Sequence, residues 1–299
     1  MNAVSLPHDL PFLRAPRRAV TLALCASALC VSFVHAAAPT PRPDVERLIE
    51  AMEFERIAAG LVAGVRQKGD TELAARMSRG ELSADRAERL RTLFGEAYAV
   101  DLLVESMARS LARLSRADTE ALVTLYRTPF GQRQLEAWRS HDLNEDQAGF
   151  TAFAQTYESR PDHAERAALN EAITAALDLP DAMAGIVIDM QVAMIVSLGH
   201  SLHAMTPSDF APMVERVRAL RPAFEAQFGR LMPVILAWTY EDMTLAELAA
   251  IRDESASPLK RRESAAVIEG LRAGFVNANL AFADALSAYA RVAETSGEI

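Results

Sequence analysis

Two segments of this chain punctuate their helices in the same way. The first reads Ser115-Arg-Ala-Asp118-Thr-Glu-Ala-Leu122, followed by Arg127-Thr128-Pro129-Phe130. The second reads Thr244-Leu-Ala-Glu247-Leu-Ala-Ala-Ile251, followed by Ala256-Ser257-Pro258-Leu259. In each, a hydroxyl residue precedes a carboxylate by three positions. The hydroxyl can accept from free amides at a helix start, and the carboxylate favours the helix's positive end. Thr128-Pro129 and Ser257-Pro258 mark a second start. There the hydroxyl is the N-cap, and proline takes a first-turn position where its missing N–H costs nothing. Every matched position is 129 residues apart, as Thr244 is from Ser115. This repeat of caps around an apolar stretch predicts an all-α chain made of two copies of one helical unit.

The rest of the sequence fits that plan. Leu48, Met52 and Ala59 interleave with Ile49, Phe54, Ile57 and Leu61 at helical spacing. Leu90, Leu93, Phe94, Ala97, Tyr98 and Leu102 continue the habit, predicting one helix from about Ser83 to about Arg113. Asp162-x-x-Glu165, Leu179-Pro180-Asp181 and Thr206-Pro207-x-Asp209 each open a further helix, the second covering the apolar run Met183–Leu202. The two units are expected at 44–160 and 161–299, each burying an apolar face against the other. Hydrophobic residues at 51% and charged residues at 24% supply a sizeable core and exclude a disordered chain. Few Gly and Pro and 6% aromatics argue against a turn-rich β protein.

The N-terminus reads as an export signal. Arg14, Arg17 and Arg18 precede a charge-free run from Ala19 to Val34, and Val34-His35-Ala36 has the small-x-small cleavage pattern. That run is shorter than the roughly 20 residues that span a bilayer, so residues 1–36 are expected to be a cleaved signal peptide. The expected location is the periplasm or the exterior, with no membrane span left after cleavage. Leu24 and Leu29 precede the two cysteines, Cys25 and Cys30, where a lipobox wants a small residue. Both cysteines lie in the segment removed, so the mature chain would have no disulfide and no thiol chemistry. Cleavage removes three Arg and one Asp, taking the net charge from −9 to −11. No basic stripe exists to follow a phosphate backbone, so nucleic acid is not an expected partner. Residues 37–43 form a Pro-rich tether.

Around Leu122-Val-Thr-Leu-Tyr126-Arg-Thr128-Pro129-Phe-Gly131-Gln132 the chain resembles the bacterial Domain of Unknown Function 2059 family of exported helical proteins. Glu120, Leu122, Tyr126, Thr128, Pro129 and Gly131 match its motif, with Leu125 standing where Phe is usual. The match covers some 20 residues. The second copy departs from it, with Ser255 for Tyr126 and Lys260 for Gly131. The resemblance implies a helical fold and an exported location, and it supplies no catalytic residues. Ser115, Asp118, Tyr126, Thr128, Pro129, Gly131, Thr244, Glu247, Ser257 and Pro258 therefore read as structural punctuation, with the Tyr126 ring expected on Pro129.

Candidates for chemistry are few. His200-x-x-His203 puts two imidazoles on one helix face, the candidate metal pair, but no carboxylate follows at helical spacing. Asp189, within Gly185-Ile-Val-Ile-Asp-Met-Gln, is either a buried acid or base or a mark of the helix's wet side. No Gly-rich phosphate loop, His-Glu-x-x-His, Gly-x-Ser-x-Gly or cofactor motif occurs. Seven methionines fall in the second unit. Met183, Met190 and Met194, with Phe224, Phe228 and Trp238, are candidates to line an apolar groove, as flexible, polarizable Met suits varied apolar partners. The same residues also suit an ordinary core. The expected function is non-enzymatic binding of an unknown protein segment or lipid-like ligand. A structural scaffold, or a hydrolase with a polar or metal site, is the alternative.

Overall fold

Helix starts fall where hydroxyl residues precede free amides. Ser115 Oγ accepts from Asp118 N at 3.0 Å, and Thr128 Oγ1 accepts from Gly131 N at 3.0 Å. Thr244 Oγ1 accepts from Glu247 N at 3.2 Å while the Glu247 carboxylate accepts from Thr244 N at 2.7 Å, closing a capping box. Ser257 Oγ accepts from Lys260 N at 3.2 Å. The computed structural model describes residues 42–141, 146–201 and 207–296, and only the backbone at 197–201, 207–208 and 292–296. Among the described residues all regular structure is helical.

The first stretch comprises α1 (Pro43–Ala51), α2 (Phe54–Ser78), α3 (Ala84–Ala97), α4 (Val100–Leu111), α5 (Arg116–Arg127), α6 (Pro129–Ser140) and α7 (Gln147–Thr156). A 3-10 turn at Tyr157–Ser159 leads to α8 (His163–Ala176) and α9 (Leu179–Ser201). Then follow α10 (Pro207–Arg218), α11 (Arg221–Thr239), α12 (Leu245–Ser255) and the long α13 (Pro258–Ser296). Helix α1 packs on α5, and α2 packs on α3 and α4. Later in the chain α8 packs on α12 and α11, and α9 on α11 and α10. Helix α13 runs against α4, α9 and α3.

Three apolar clusters result. The largest joins Val45, Leu48, Met107, Leu111 and Leu122 with Ala266 and Phe275 of α13. A second joins Ile173, Leu236, Tyr240, Met243, Leu248 and Ile251 with Ala137 of α6. The third packs Phe153 and Tyr157 on Trp238. Helix α13 can approach α4 closely because Gly270 meets it: a Cβ there would sit 2.9 Å from Met107 Sδ and 3.0 Å from its Cα.

The helix expected from Ser83 to Arg113 is two helices, α3 and α4. No Pro lies in it, and Gly95 sits inside α3 rather than at the break. Tyr98 ends α3 with φ −94° and ψ 62°, and its hydroxyl donates to Asn279 Oδ1 at 2.9 Å on α13. Arg66 of α2 donates to Gly95 O at 2.6 Å and Tyr98 O at 2.9 Å, taking up carbonyls freed at the break. Burial pushes the Tyr98 pKa up to about 12, so its hydroxyl stays a donor.

Candidate functional site

The α5–α6 corner is built on Gly131. A Cβ there would lie 2.3 Å from Leu125 O and 2.8 Å from Tyr126 Cα, so the tight Thr-Pro-x-Gly turn demands glycine. Tyr126 points from this corner toward α13. Its hydroxyl donates to the Glu263 carboxylate, and Lys260 Nζ lies 3.0 Å from that hydroxyl and 2.6 Å from Glu263 Oε2. Lys260 Nζ also stands 4.8 Å from the centre of the Tyr126 ring, and Gln134 Nε2 donates to Glu254 at 3.0 Å beside them. The Tyr126 hydroxyl therefore meets a carboxylate and an ammonium from α13.

Burial and mutual charge move Tyr126 and Lys260 of this cluster away from neutral pKa values. Burial first, and then the Glu263 charge, raises the Tyr126 pKa. Burial works against the Lys260 ammonium, but Tyr126 and Glu263 outweigh it and hold its pKa above the usual lysine range. A general acid or base works best with a pKa near the working pH, and neither group has one. Glu254, Lys260, Glu263 and Gln134 were not legible as a cluster from local patterns. The signal available was the 129-residue offset, which matches Gln134 with Glu263.

The apolar candidates separate into two places. Apart from Asp181, Asp189 and Gln191 the stretch Leu179–Val196 of α9 is apolar, and most of it is half-buried rather than fully buried. Met183 and Met190 are partly buried against the largest cluster. Met194 is half-buried further along, and Val196 is 41% exposed. On the neighbouring α11, Phe224 and Phe228 are half-buried, with ring centres 6.5 Å apart. Trp238 lies apart from the methionines. It is buried against Phe153, Phe150 and His141, so it fills core. Among the described residues α9 is also the one helix long and apolar enough to cross a membrane, by length and composition.

Asp189 marks a wet side of α9, paired with Arg272 of α13. A cleft of about 550 Å³ opens near the start of α9, with Ala182, Gly185 and Ile268 lining it beside the Arg221–Asp181 ion pair. His203 and the His200 side chain lie outside the described residues, as does the proposed signal peptide. Among the described residues no group of three His, Cys, Asp or Glu side chains is placed to hold a metal. No family model, curated protein or solved structure matches the chain.

Proposed function

We propose that this chain is an exported, non-enzymatic binding protein of two related helical units, and that it holds an apolar ligand or partner segment along α9. The observation that carries this reading is the cover of α9. A helix this apolar is ordinarily fully buried, and most of α9 is only half-buried, with Val196 exposed. Met194 on α9 and Phe224 and Phe228 on the neighbouring α11 are half-buried and can offer adaptable and aromatic contacts. Export is supported by Arg14, Arg17 and Arg18 ahead of the apolar run at 19–34. The corner at Tyr126-Arg-Thr128-Pro129-Phe-Gly131 supports the likeness to the Domain of Unknown Function 2059 family.

Titration with a fluorescent anilinonaphthalene probe tests the binding face. The expected result is saturable binding, weakened tenfold or more by Met194→Asp with helicity retained. Equal binding by the variant overturns the assignment to α9. A scaffold reading is favoured by the closed packing around Trp238. It gains if no saturable binding is seen at all.

A further inference from the structure

The helix that follows each hydroxyl-Pro start reaches into the other unit. Phe130 and Ala137 on α6 pack into the cluster of Ile173, Tyr240, Met243, Leu248 and Ile251, which belongs to the second unit. Their counterparts 129 residues on, Leu259 and Ala266 of α13, pack into the cluster of Val45, Leu48, Leu111 and Leu122, which belongs to the first. The ion pairs are reciprocal too. Arg133 of the first unit faces Glu247 of the second at 3.8 Å. Arg262, the counterpart of Arg133, meets Asp118, the counterpart of Glu247, at 2.6 Å. The polar bonds follow with a one-residue slip. Gln134 donates to Glu254, and Glu263, the counterpart of Gln134, accepts from Tyr126.

Contacts in which i meets j and j meets i define a two-fold, isologous interface. We infer that this chain is a fused dimer in form: two copies of one unit meet about a pseudo-two-fold axis and exchange α6 and the first turns of α13. The partner each α5–α6 corner fits is a second copy of the same unit, and the α12–α13 corner fills that place in cis. Tyr126, Lys260 and Glu263 cluster at this joint, so the motif's tyrosine is a coupling between units. The internal plan of the units agrees. Arg42 donates to Leu114 O at 3.1 Å and Arg166 to Met243 O at 2.7 Å, in each case the residue before the α5 or α12 cap. Glu53 and Asp178, at the α1–α2 and α8–α9 corners, both take left-handed conformations with φ 53° and 51°.

This inference rests on the duplication alone and is indifferent to what α9 binds. Hydrogen exchange by mass spectrometry on the full chain tests it. Leu259→Ala should speed exchange in α1 and α5, and Phe130→Ala in α8 and α12, each by about tenfold, as loss of packing in the opposite unit requires. Loosening confined to each variant's own unit overturns the exchange. If either variant fails to fold, double-mutant cycles replace it. Asp118/Arg262 and Arg133/Glu247 should each couple by about two- to fivefold in the unfolding constant, as exposed pairs do. The within-unit pairs Asp118/Arg133 and Glu247/Arg262 should not couple. Coupling of one cross-unit pair without the other contradicts the two-fold.

Discussion

Helix α2 packs on α3 and α4, and α9 packs on α10 and α11 in the same order. Yet α2 carries Arg66-Gln67-Lys68-Gly69-Asp70 through its middle, and α9 carries Gly185-Ile-Val-Ile-Asp-Met-Gln-Val-Ala-Met-Ile-Val. The plan of the unit is satisfied by a polar outer face on α2, so it does not demand an apolar one on α9. Helix α13 covers one side of α9, but Val196 remains 41% exposed. Val45 and Ile49 are buried apolar residues of α1, and α8 buries Ile173 together with the polar Asn170 and Thr174. Helices α2 and α9, alike in packing order, therefore differ in the polarity of their sequences.

The deepest matched positions give the largest expected effects. Leu122→Ala and Ile251→Ala should each cost about 2 to 5 kcal/mol in urea unfolding, because both side chains are buried and would leave cavities. A large cost at one and almost none at the other would show that the clusters do not carry equal weight.

The two arginines sharpen the comparison next. Arg166 is 7% exposed and binds Met243 O and the Asp162 carboxylate. Arg42 binds Ala112 O, Leu114 O and Asp44 and is more open. Arg166→Ala should cost about 2 to 3 kcal/mol and Arg42→Ala about 1 to 2, since each leaves polar partners unmet. The second also has a pH signature. The Arg42 guanidinium holds the Asp44 carboxyl below the usual carboxylate range, against the opposing effect of burial. A depressed carboxylate adds stability above its unfolded pKa of about 3.9 and loses it as pH falls through the folded value. The gap between wild type and Arg42→Ala should therefore narrow as pH drops below about 4. A gap that stays constant with pH would break the assignment.

The caps come last. Ser115→Ala and Thr244→Ala should each cost about 1 kcal/mol in thermal unfolding, with Thr244 the larger because its hydroxyl both accepts from Glu247 N and donates to the Glu247 carboxylate that closes the box. The reverse order would indicate that the box contributes nothing beyond the single bond.

Local patterns carried much of the fold. Ser115, Thr128, Thr244 and Ser257 mark helix starts because capping is a contact over three residues, and such spacing is visible in a sequence. Tyr98 shows where that reading stops. The Tyr98 hydroxyl at the break is held by Asn279, 181 residues away, and the one local signal is Gly95, inside α3. Trp238 shows the same limit for the site. Met194 and Trp238 both sit in apolar helical stretches, and only packing separates an open face from a closed cluster. The Tyr126–Lys260–Glu263 group needed both tertiary structure and the repeat offset to become visible.

Native mass spectrometry of the full-length protein recovered from an exporting cell tests the α9 assignment most directly, run beside Met194→Asp and a control, Gln67→Asp, on α2. The account predicts an added lipid or peptide mass on wild type and on the α2 control, and its loss from the α9 variant. A bare protein in all three cases, or a mass that survives Met194→Asp, would contradict it.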